Sequence, residues 1–135
     1  CQLTEKLSRD VTVIQVGLGS QSSLINAIDL SGQLSFRQAA WLISQSQLLV
    51  TTIGGLMHAA RAVKKKSVIL YAGTERVTMA GYNQNTNISR TVDCSPCGLK
   101  IPCPYSKKCM DISVNDVYDT ILKELDDPIE AGLYE

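Results

Sequence analysis

The segment from Leu48 to Thr74 constrains the fold more than any other part of the chain. Leu48–Thr52 is a short apolar run rich in β-formers, which predicts a buried strand. Gly54 and Gly55 interrupt this run, and apolar residues then recur at helical spacing. Ser67–Tyr71 is a second apolar run. A strand, a helix and a strand in this order predict a βαβ unit with parallel strands and a right-handed crossover.

The glycine pair lies where the predicted helix begins. A helix start presents unpaired N–H groups and the positive end of the helix dipole, and glycine lets a ligand approach the backbone closely. This arrangement favours an anion, of which a nucleotide pyrophosphate is the usual example. His58, the single histidine of the chain, lies in the first helical turn. A second interpretation stays open, in which the glycines serve only a tight turn and His58 caps the helix or packs against the sheet.

The other predicted elements alternate in type along the chain. They are a helix end over residues 1–9, a strand at Val11–Val16, a short helix at Ser22–Ile28, a turn at Asp29–Gln33, a helix from Ser35 to about Ser46, a loop at Glu75–Asn87, an edge strand at Ile88–Val92 and a final helix that begins at Ser113. This alternation predicts an α/β fold with a parallel sheet and flanking helices.

Two of the predicted helices carry capping signals. Ser35 followed by Gln38 is a capping-box pattern, and Ser113 with Asp116 marks the start of the last helix. The spacing of apolar residues predicts which side of each helix is buried. In the helix that begins at Ser35 the inward residues are Phe36, Ala39, Ala40, Trp41 and Ile43. In the helix that begins at Ser113 they are Val114, Val117, Ile121 and Leu125.

Four cysteines form a separate pattern, Cys94, Cys97, Cys103 and Cys109, with the spacing C-x2-C-x5-C-x5-C. Four thiolates at such spacings are able to close a tetrahedral zinc site. Two rival interpretations remain open: reduced cysteines with a packing role, or two disulfides if the compartment is oxidising. Prolines between the cysteines stiffen the loop, which suits all three interpretations.

Composition limits the classes of function. The 135 residues fit one domain, and 13 basic residues balance 13 acidic ones. Net charge therefore indicates neither a nucleic-acid partner nor a membrane surface. No apolar stretch approaches the ~18–20 residues of a transmembrane helix, and no signal peptide is recognisable. The chain opens without methionine on what resembles a helix end, so we expect a fragment of a longer protein.

The order of these features resembles the carboxyl-terminal domain of glycosyltransferase family 9, the ADP-heptose:lipopolysaccharide heptosyltransferases. The matching pieces are VIQVG, DLSGQLSFRQAAWLISQSQLLV, GGLMHAARAV, VILYAGT and CSPC…C…CM followed by ISVNDV. The resemblance covers about Val11 to Leu125. It implies a Rossmann-like domain, the carboxyl-terminal half of a GT-B fold without its first strand. Residues 1–125 would bind the nucleotide sugar and include the cysteine-rich loop 94–110, and residues 126–135 would form an acidic tail.

The resemblance also implies an activity for the parent protein. It would transfer a sugar from ADP-heptose or a related nucleotide sugar to lipopolysaccharide or another surface glycan, without a cofactor for the chemistry. The acceptor and the catalytic base would belong to the other domain, so no catalytic residue is expected here and the fragment alone is expected to be inactive. The parent protein would be located in the bacterial cytoplasm, including a peripheral position at the inner membrane. The alternative is a non-catalytic nucleotide-binding or interaction domain.

The expected donor site follows from the same resemblance. It comprises Gly17, Ser20, Leu34, Ser35, Thr52, Gly54, Gly55, Met57, His58 and Thr74. Gly55 would direct its N–H at the donor diphosphate, and we expect it to be the least replaceable residue. His58 would donate a hydrogen bond to phosphate, while Leu34 and Ser35 would line the adenine or ribose side. The chain has Ile53 where the family usually has an aspartate, which leaves the identity of the sugar open.

Overall fold

The structure, a computed structural model, describes residues 2–19, 22–98 and 102–127. The helices and strands follow one another as α1 Gln2–Leu7, β1 Ile14–Gln15, β2 Ile28–Asp29, α2 Phe36–Gln45, β3 Leu49–Thr52, α3 Gly55–Ala62, β4 Ser67–Tyr71, α4 Val77–Ala80, β5 Thr86–Ser89, a 3-10 turn at Lys108–Met110 and α5 Val114–Asp126. Among the helices in these ranges, none has both the length and the apolar character that a membrane crossing requires.

Every strand ladder in the described residues is parallel. One sheet has the order β3-β4-β5, with Leu49 opposite Ser67 and Val68 opposite Thr86. A second sheet pairs β1 with β2, with Ile14 opposite Ile28. The predicted βαβ unit is therefore confirmed as β3, α3 and β4, and the α/β class is confirmed with it. Since β4 has a strand on each side, its Val68 and Ile69 are completely buried.

Helices cover both faces of the three-stranded sheet. On one face, α1 and α5 pack on β4 through the α1/α5 cluster, which consists of Leu7, Val68, Val117 and Ile121. On the other face, α2 and α3 contribute to the α2/α3 cluster, which consists of Ile43, Leu49, Ala59 and Ala60. Alternate residues of a strand point to opposite faces, so consecutive residues of β3 and β4 contribute to different clusters. The apolar runs of these strands follow from burial on both faces.

Both capping signals form as predicted. The Ser35 N–H donates to Gln38 Oε1 at 2.8 Å, and the Gln38 N–H donates to Ser35 Oγ at 3.4 Å. Ser113 Oγ accepts from the N–H groups of Asn115 and Asp116 at 3.2 and 3.4 Å. Each cap satisfies amides that have no partner within the helix, and so fixes the helix start to a particular residue.

The predicted helix at Ser22–Ile28 is wrong. The buried Gln15 side chain forms hydrogen bonds with backbone groups of this segment that a helix would use. Gln15 Nε2 donates to the Ser22 carbonyl at 3.0 Å, and Gln15 Oε1 accepts from the Leu24 N–H at 2.7 Å. Asn26 then takes a left-handed φ of 59°, which a right-handed helix does not accommodate. The segment ends in β2, a strand that occupies the start of the turn predicted at Asp29–Gln33.

The inward face predicted for α2 is partly wrong. Ala39 and Ile43 are buried as expected, but Phe36 is 58% exposed and Trp41 is 65% exposed. Trp41 lies two residues beyond Ala39, about 200° around the helix, and therefore points away from the sheet. Phe36 is the first helical residue and extends towards α3, as its contact with Gly55 shows.

Two further boundaries differ from the prediction. The segment Glu75–Asn87 is not all loop, because it contains α4 and the first residues of β5. The edge strand Thr86–Ser89 starts two residues earlier than the predicted Ile88–Val92. Its place at the edge of the sheet, next to β4, is confirmed.

Candidate functional site at the amino end of helix α3

Gly54 forms the turn between β3 and α3. Its φ of 157° and ψ of −169° lie in a region that is essentially restricted to glycine. A Cβ atom built on Gly54 would meet nothing within 4 Å, so the space in front of this turn is open. The Met57 N–H donates to the Gly54 carbonyl at 3.1 Å and closes the first helical turn. The positive φ therefore belongs to Gly54 and not to Gly55, the glycine that the sequence singled out.

Gly55 begins α3 and lies against an aromatic ring. A Cβ atom built on Gly55 would lie 3.3 Å from Cε2 of Phe36, so the exposed Phe36 ring borders the start of α3. Gly54, as the cap residue, offers no side-chain hydrogen bond to this helix. The first backbone N–H groups of α3 therefore receive no hydrogen bond from a cap side chain and are available to an external acceptor. The helix dipole favours an acceptor with negative charge.

His58 is exposed and bonded to Tyr82. Its Nδ1 lies 2.7 Å from the Tyr82 hydroxyl, and the two rings meet edge to face at 88°. The Arg61 guanidinium lies 5.9 Å from the centre of the Tyr82 ring, on the same side of α3. Within the ranges that the structure describes, Nε2 of His58 has no bonded partner and is the ring nitrogen available to a ligand. His58 therefore neither caps the helix nor packs into the sheet.

Thr52 and Met57 lie on either side of this turn, with different surroundings. Thr52 is the last residue of β3 and is exposed. Met57 is completely buried, and its Sδ accepts from the Tyr71 hydroxyl at 3.8 Å. The side chain of Met57 therefore supports the turn from the core side, and only its backbone faces the first turn of the helix.

Three more predicted residues lie in the loops that follow β1 and β2. Gly17 follows β1, and its carbonyl accepts from the Gly32 N–H at 2.8 Å. Leu34 is half-buried, and Ser35 is exposed with its hydroxyl engaged in the α2 cap. The adjacent Phe36 places this loop beside Gly55. Ser20 lies outside the described residues.

Gly73 and Thr74 follow β4 at the same edge of the sheet, since parallel strands end at one edge. Thr74 is exposed, whereas Gly73 is buried beneath the cysteine-rich loop. The Cys97 N–H donates to the Gly73 carbonyl at 2.9 Å, and a Cβ atom on Gly73 would lie 2.9 Å from Cβ of Cys109. The backbone of Gly73 is thus one point at which the described part of the cysteine-rich loop contacts the segment after β4.

A strand-end edge of this kind, with an uncapped glycine-led helix, is where open α/β sheets bind ligands. The family model of glycosyltransferase family 9 (heptosyltransferase) matches residues 11–108, which include all of this edge. The chain belongs to glycosyltransferase family 9. Among solved structures, the E. coli ADP-heptose LPS heptosyltransferase II is similar, with a TM-score of 0.70 at 19% sequence identity. The match covers 92% of this chain and 39% of that enzyme. This family 9 chain therefore spans about two fifths of the length of the E. coli enzyme. No curated protein matches the chain.

Ile53 of this family 9 chain occupies the position at which an acidic residue was expected. It is half-buried and packs on the buried Met57, Ile69 and Tyr71, together with Val77 and Tyr82. The position is therefore part of the apolar layer beneath α3. A carboxylate in these surroundings would lose solvation among the apolar side chains.

The four cysteines of the family 9 chain are the ligands of the predicted zinc site, and that site stays a prediction. Cys94, Cys97, Cys103 and Cys109 are free and half-buried thiols. Over residues 2–19, 22–98 and 102–127, no three His, Cys, Asp or Glu side chains come together closely enough to hold a metal ion. A structural zinc needs four converging ligands. The contact of Cys109 with Gly73 fits the packing interpretation of the loop.

Sequence reasoning missed two aromatic residues of this edge. Tyr82 is 24 residues from His58, and a hydrogen bond over that separation has no local sequence signal. The helical apolar pattern predicts a core position for Phe36. Its position directly after the cap residue Ser35 is the signal that it lies at the helix end, next to the loops of the strand ends.

Asp29 is a third residue that the sequence did not single out. It ends β2, and its Oδ2 accepts from the Ser23 hydroxyl at 2.5 Å while its Oδ1 accepts from the Ser31 N–H at 2.9 Å. These two hydrogen bonds, the Ser23 bond first, lower the pKa of the Asp29 carboxyl below its ordinary value. The ionised carboxylate thus joins the segment before β2, through Ser23, to the loop after β2, through Ser31.

Proposed function

We propose that this chain is the donor-binding domain of an inverting glycosyltransferase, and that the diphosphate of a nucleotide sugar binds at the amino end of α3. The observation that carries the proposal is the uncapped helix start behind the glycine-only turn at Gly54, with open space in front of it. Its amides and dipole suit a diphosphate, and the exposed Nε2 of His58 adds a donor within the same turn.

The surrounding residues suggest how the rest of the donor lies. The Leu34–Ser35 loop and the Phe36 ring border Gly55 on one side, where they would contact the adenine or ribose. Thr74 lies at the end of the neighbouring strand, where it would contact the other side of the donor. Ile53 offers no carboxylate to the sugar, so the donor is ADP-heptose or a relative whose sugar is held by other groups.

The same helix start would also assist the chemistry. When the bond between sugar and phosphate breaks, negative charge grows on the departing nucleoside diphosphate. N–H groups and a helix dipole that are fixed in advance stabilise such charge without reorganising. The donor side of the transfer would thus be served by backbone groups, with His58 as a further hydrogen-bond donor.

The acceptor and the general base would come from a second domain of the longer parent enzyme. The solved relative, of which this chain covers 39%, leaves ample length for such a domain. The acceptor would be lipopolysaccharide or another surface glycan. The parent would act in the bacterial cytoplasm, where nucleotide sugars are found, and would meet lipid-linked acceptors at the inner membrane surface.

Titration with ADP, followed by the amide shifts in NMR spectra, tests the proposal. We expect the signals of Gly54, Gly55, His58 and Thr74 to move, with a control region on the far side at Val117 unchanged. Adenosine, which lacks the phosphates, is the matched control and should leave Gly55 unmoved. Shifts confined to other regions, with Gly54, Gly55 and His58 unmoved, would show that the site is wrong.

A further inference from the structure

Tyr82 joins two parts of the structure that are far apart in the chain. Its hydroxyl lies 2.7 Å from Nδ1 of His58, which is 24 residues away, and the two rings meet edge to face. Tyr82 belongs to the segment between α4 and β5, whereas His58 lies near the start of α3. A hydrogen bond between these two segments fixes the direction of an imidazole ring that the helix backbone alone leaves free to rotate.

The Tyr82 side chain is itself held in place by its surroundings. It packs against the buried cluster beneath α3 that contains Met57 and Tyr71. Its backbone carbonyl accepts from the Asn85 N–H at 3.1 Å, and the Arg61 guanidinium lies 5.9 Å from the centre of its ring. Tyr82 is therefore a fixed support, and the exposed imidazole is the group that it orients.

The hydrogen bond to Tyr82 also determines which ring nitrogen of His58 carries the proton. A neutral imidazole has one N–H, and the hydrogen bond that one nitrogen makes sets the state of the other. The basic nitrogen of an imidazole is a stronger acceptor than a phenol oxygen, whose lone pair is delocalised into the ring. The Tyr82 hydroxyl therefore donates to Nδ1, and the imidazole proton stays on Nε2.

We propose that Tyr82 is a positioning residue for donor binding, which holds His58 as a hydrogen-bond donor at Nε2 towards the diphosphate of a nucleotide sugar. Within the part of the chain that the structure describes, Nε2 has no bonded partner, so it is open to a ligand. In the other tautomer, a lone pair on Nε2 would face the negatively charged phosphate oxygens and repel them. The inference rests on the proposed diphosphate site at α3.

Tyr82 acts through His58 and not on the ligand itself. Its side chain is half-buried, its single hydroxyl proton is used on Nδ1, and the Arg61 guanidinium lies over its ring. A residue of this kind affects binding only while the imidazole is present. That dependence separates a positioning role from a direct contact with the ligand and from a purely structural role.

Nitrogen NMR of the ligand-free chain tests the tautomer directly. Long-range proton–nitrogen spectra of the 135-residue chain report both ring nitrogens of His58 without ambiguity, because it is the single histidine. On the alkaline plateau of a pH titration, we expect a protonated Nε2 and an unprotonated Nδ1. Tyr82→Phe should move the two nitrogen shifts towards each other, since both tautomers become populated. The matched control is Tyr71→Phe, which removes a hydroxyl of the same cluster that bonds to Met57 and should leave the shifts unchanged.

Calorimetric titration with ADP measures the consequence for binding. Tyr82→Phe should weaken ADP binding roughly two- to tenfold, which corresponds to the loss of one neutral hydrogen bond. In a chain that already carries His58→Ala, the same Tyr82→Phe change should weaken binding no further. This double-mutant cycle assigns the effect to the pair of side chains. The tautomer in the original chain needs no variant, so it is measurable even if a variant does not fold.

Three results would overturn the inference. A proton on Nδ1 in the original chain would mean that Tyr82 accepts the hydrogen bond and that Nε2 has no hydrogen to donate. Unchanged nitrogen shifts in Tyr82→Phe would mean that the hydrogen bond does not set the tautomer. An equal loss of ADP affinity with and without His58 would assign Tyr82 to the ligand or to the fold.

Failure of this inference and failure of the diphosphate site are distinguishable. If ADP binds at Gly54 and Gly55 while any of these three results is found, only the role of Tyr82 is refuted. If the original chain does not bind ADP, the diphosphate site fails, and the role of Tyr82 in donor binding fails with it.

Discussion

Replacing Gly54 by alanine tests the turn that leads into α3. At φ 157° and ψ −169° an alanine is strained by about 1–3 kcal/mol. Replacing glycine also reduces the conformational entropy of the unfolded chain, which raises the free energy of unfolding by about 0.4–1 kcal/mol. The new methyl group would meet nothing within 4 Å, so no packing change enters the balance. We expect a net loss of roughly 1–2 kcal/mol in the free energy of unfolding.

The matched control is Gly55→Ala, one residue further along. Gly55 has no left-handed φ, and alanine is the better helix former by up to about 1 kcal/mol. Its methyl group would lie 3.3 Å from the Phe36 ring, which is 58% exposed and can shift. We expect Gly55→Ala to change stability by no more than about 0.5 kcal/mol, as is usual for surface substitutions.

Urea unfolding followed by circular dichroism measures both variants, with the slope of the transition as a check on comparability. In a thermal scan, Gly54→Ala should lower the midpoint by roughly 3–8 °C. If Gly54→Ala is as stable as the original chain and Gly55→Ala loses more than 1 kcal/mol, the reasoning from backbone strain is refuted. Gly55→Ala should instead weaken ADP binding, because its methyl group and the displaced ring occupy the approach to the helix start.

Further predictions concern the other parts of the site. His58→Ala should leave unfolding unchanged and weaken ADP binding by about 1.5–3 kcal/mol, as calorimetric titration would show, and Tyr82→Phe should have a smaller effect in the same direction. The purified chain should transfer no sugar from ADP-heptose to lipopolysaccharide, and measurable turnover would contradict the assignment of the base to another domain. Thiol titration should find free cysteines and elemental analysis no stoichiometric zinc, whereas one zinc per chain would contradict the packing interpretation. NMR titration should find the Asp29 pKa below its unfolded value of about 3.9, so its stabilising effect is full above that pH and is lost as the pH falls through the lower folded value. Ser23→Ala should move this pKa upwards.

The sequence predicted those parts of the fold whose pattern lies within one short segment. The βαβ unit needs only the periodicity of one segment, and the capping box of α2 needs only Ser35 and Gln38. The helix expected at Ser22–Ile28 failed because a side chain from β1, Gln15, competes for its backbone groups. The residues of the Ser22–Ile28 segment themselves do not indicate that competition.

The anion site at the glycine pair stays a prediction, and its geometry shows the same limit of sequence reasoning. A glycine pair between a strand and a helix predicts a tight turn, but the sequence does not say which glycine has the unusual φ. The structure assigns it to Gly54. The bond between His58 and Tyr82 joins residues from separate elements, and only the folded chain brings them together.

The proposed donor site draws on two separate groups of strands. Gly17 belongs to the β1-β2 group, whereas Thr52, Gly54 and Thr74 belong to the β3-β4-β5 group. Within the described residues no ladder joins the two groups, so there the distance across the proposed nucleotide site depends on helix packing and on the chain segment between β2 and β3. Donor affinity would then depend on how firmly the two groups are held together, as well as on what lines the site.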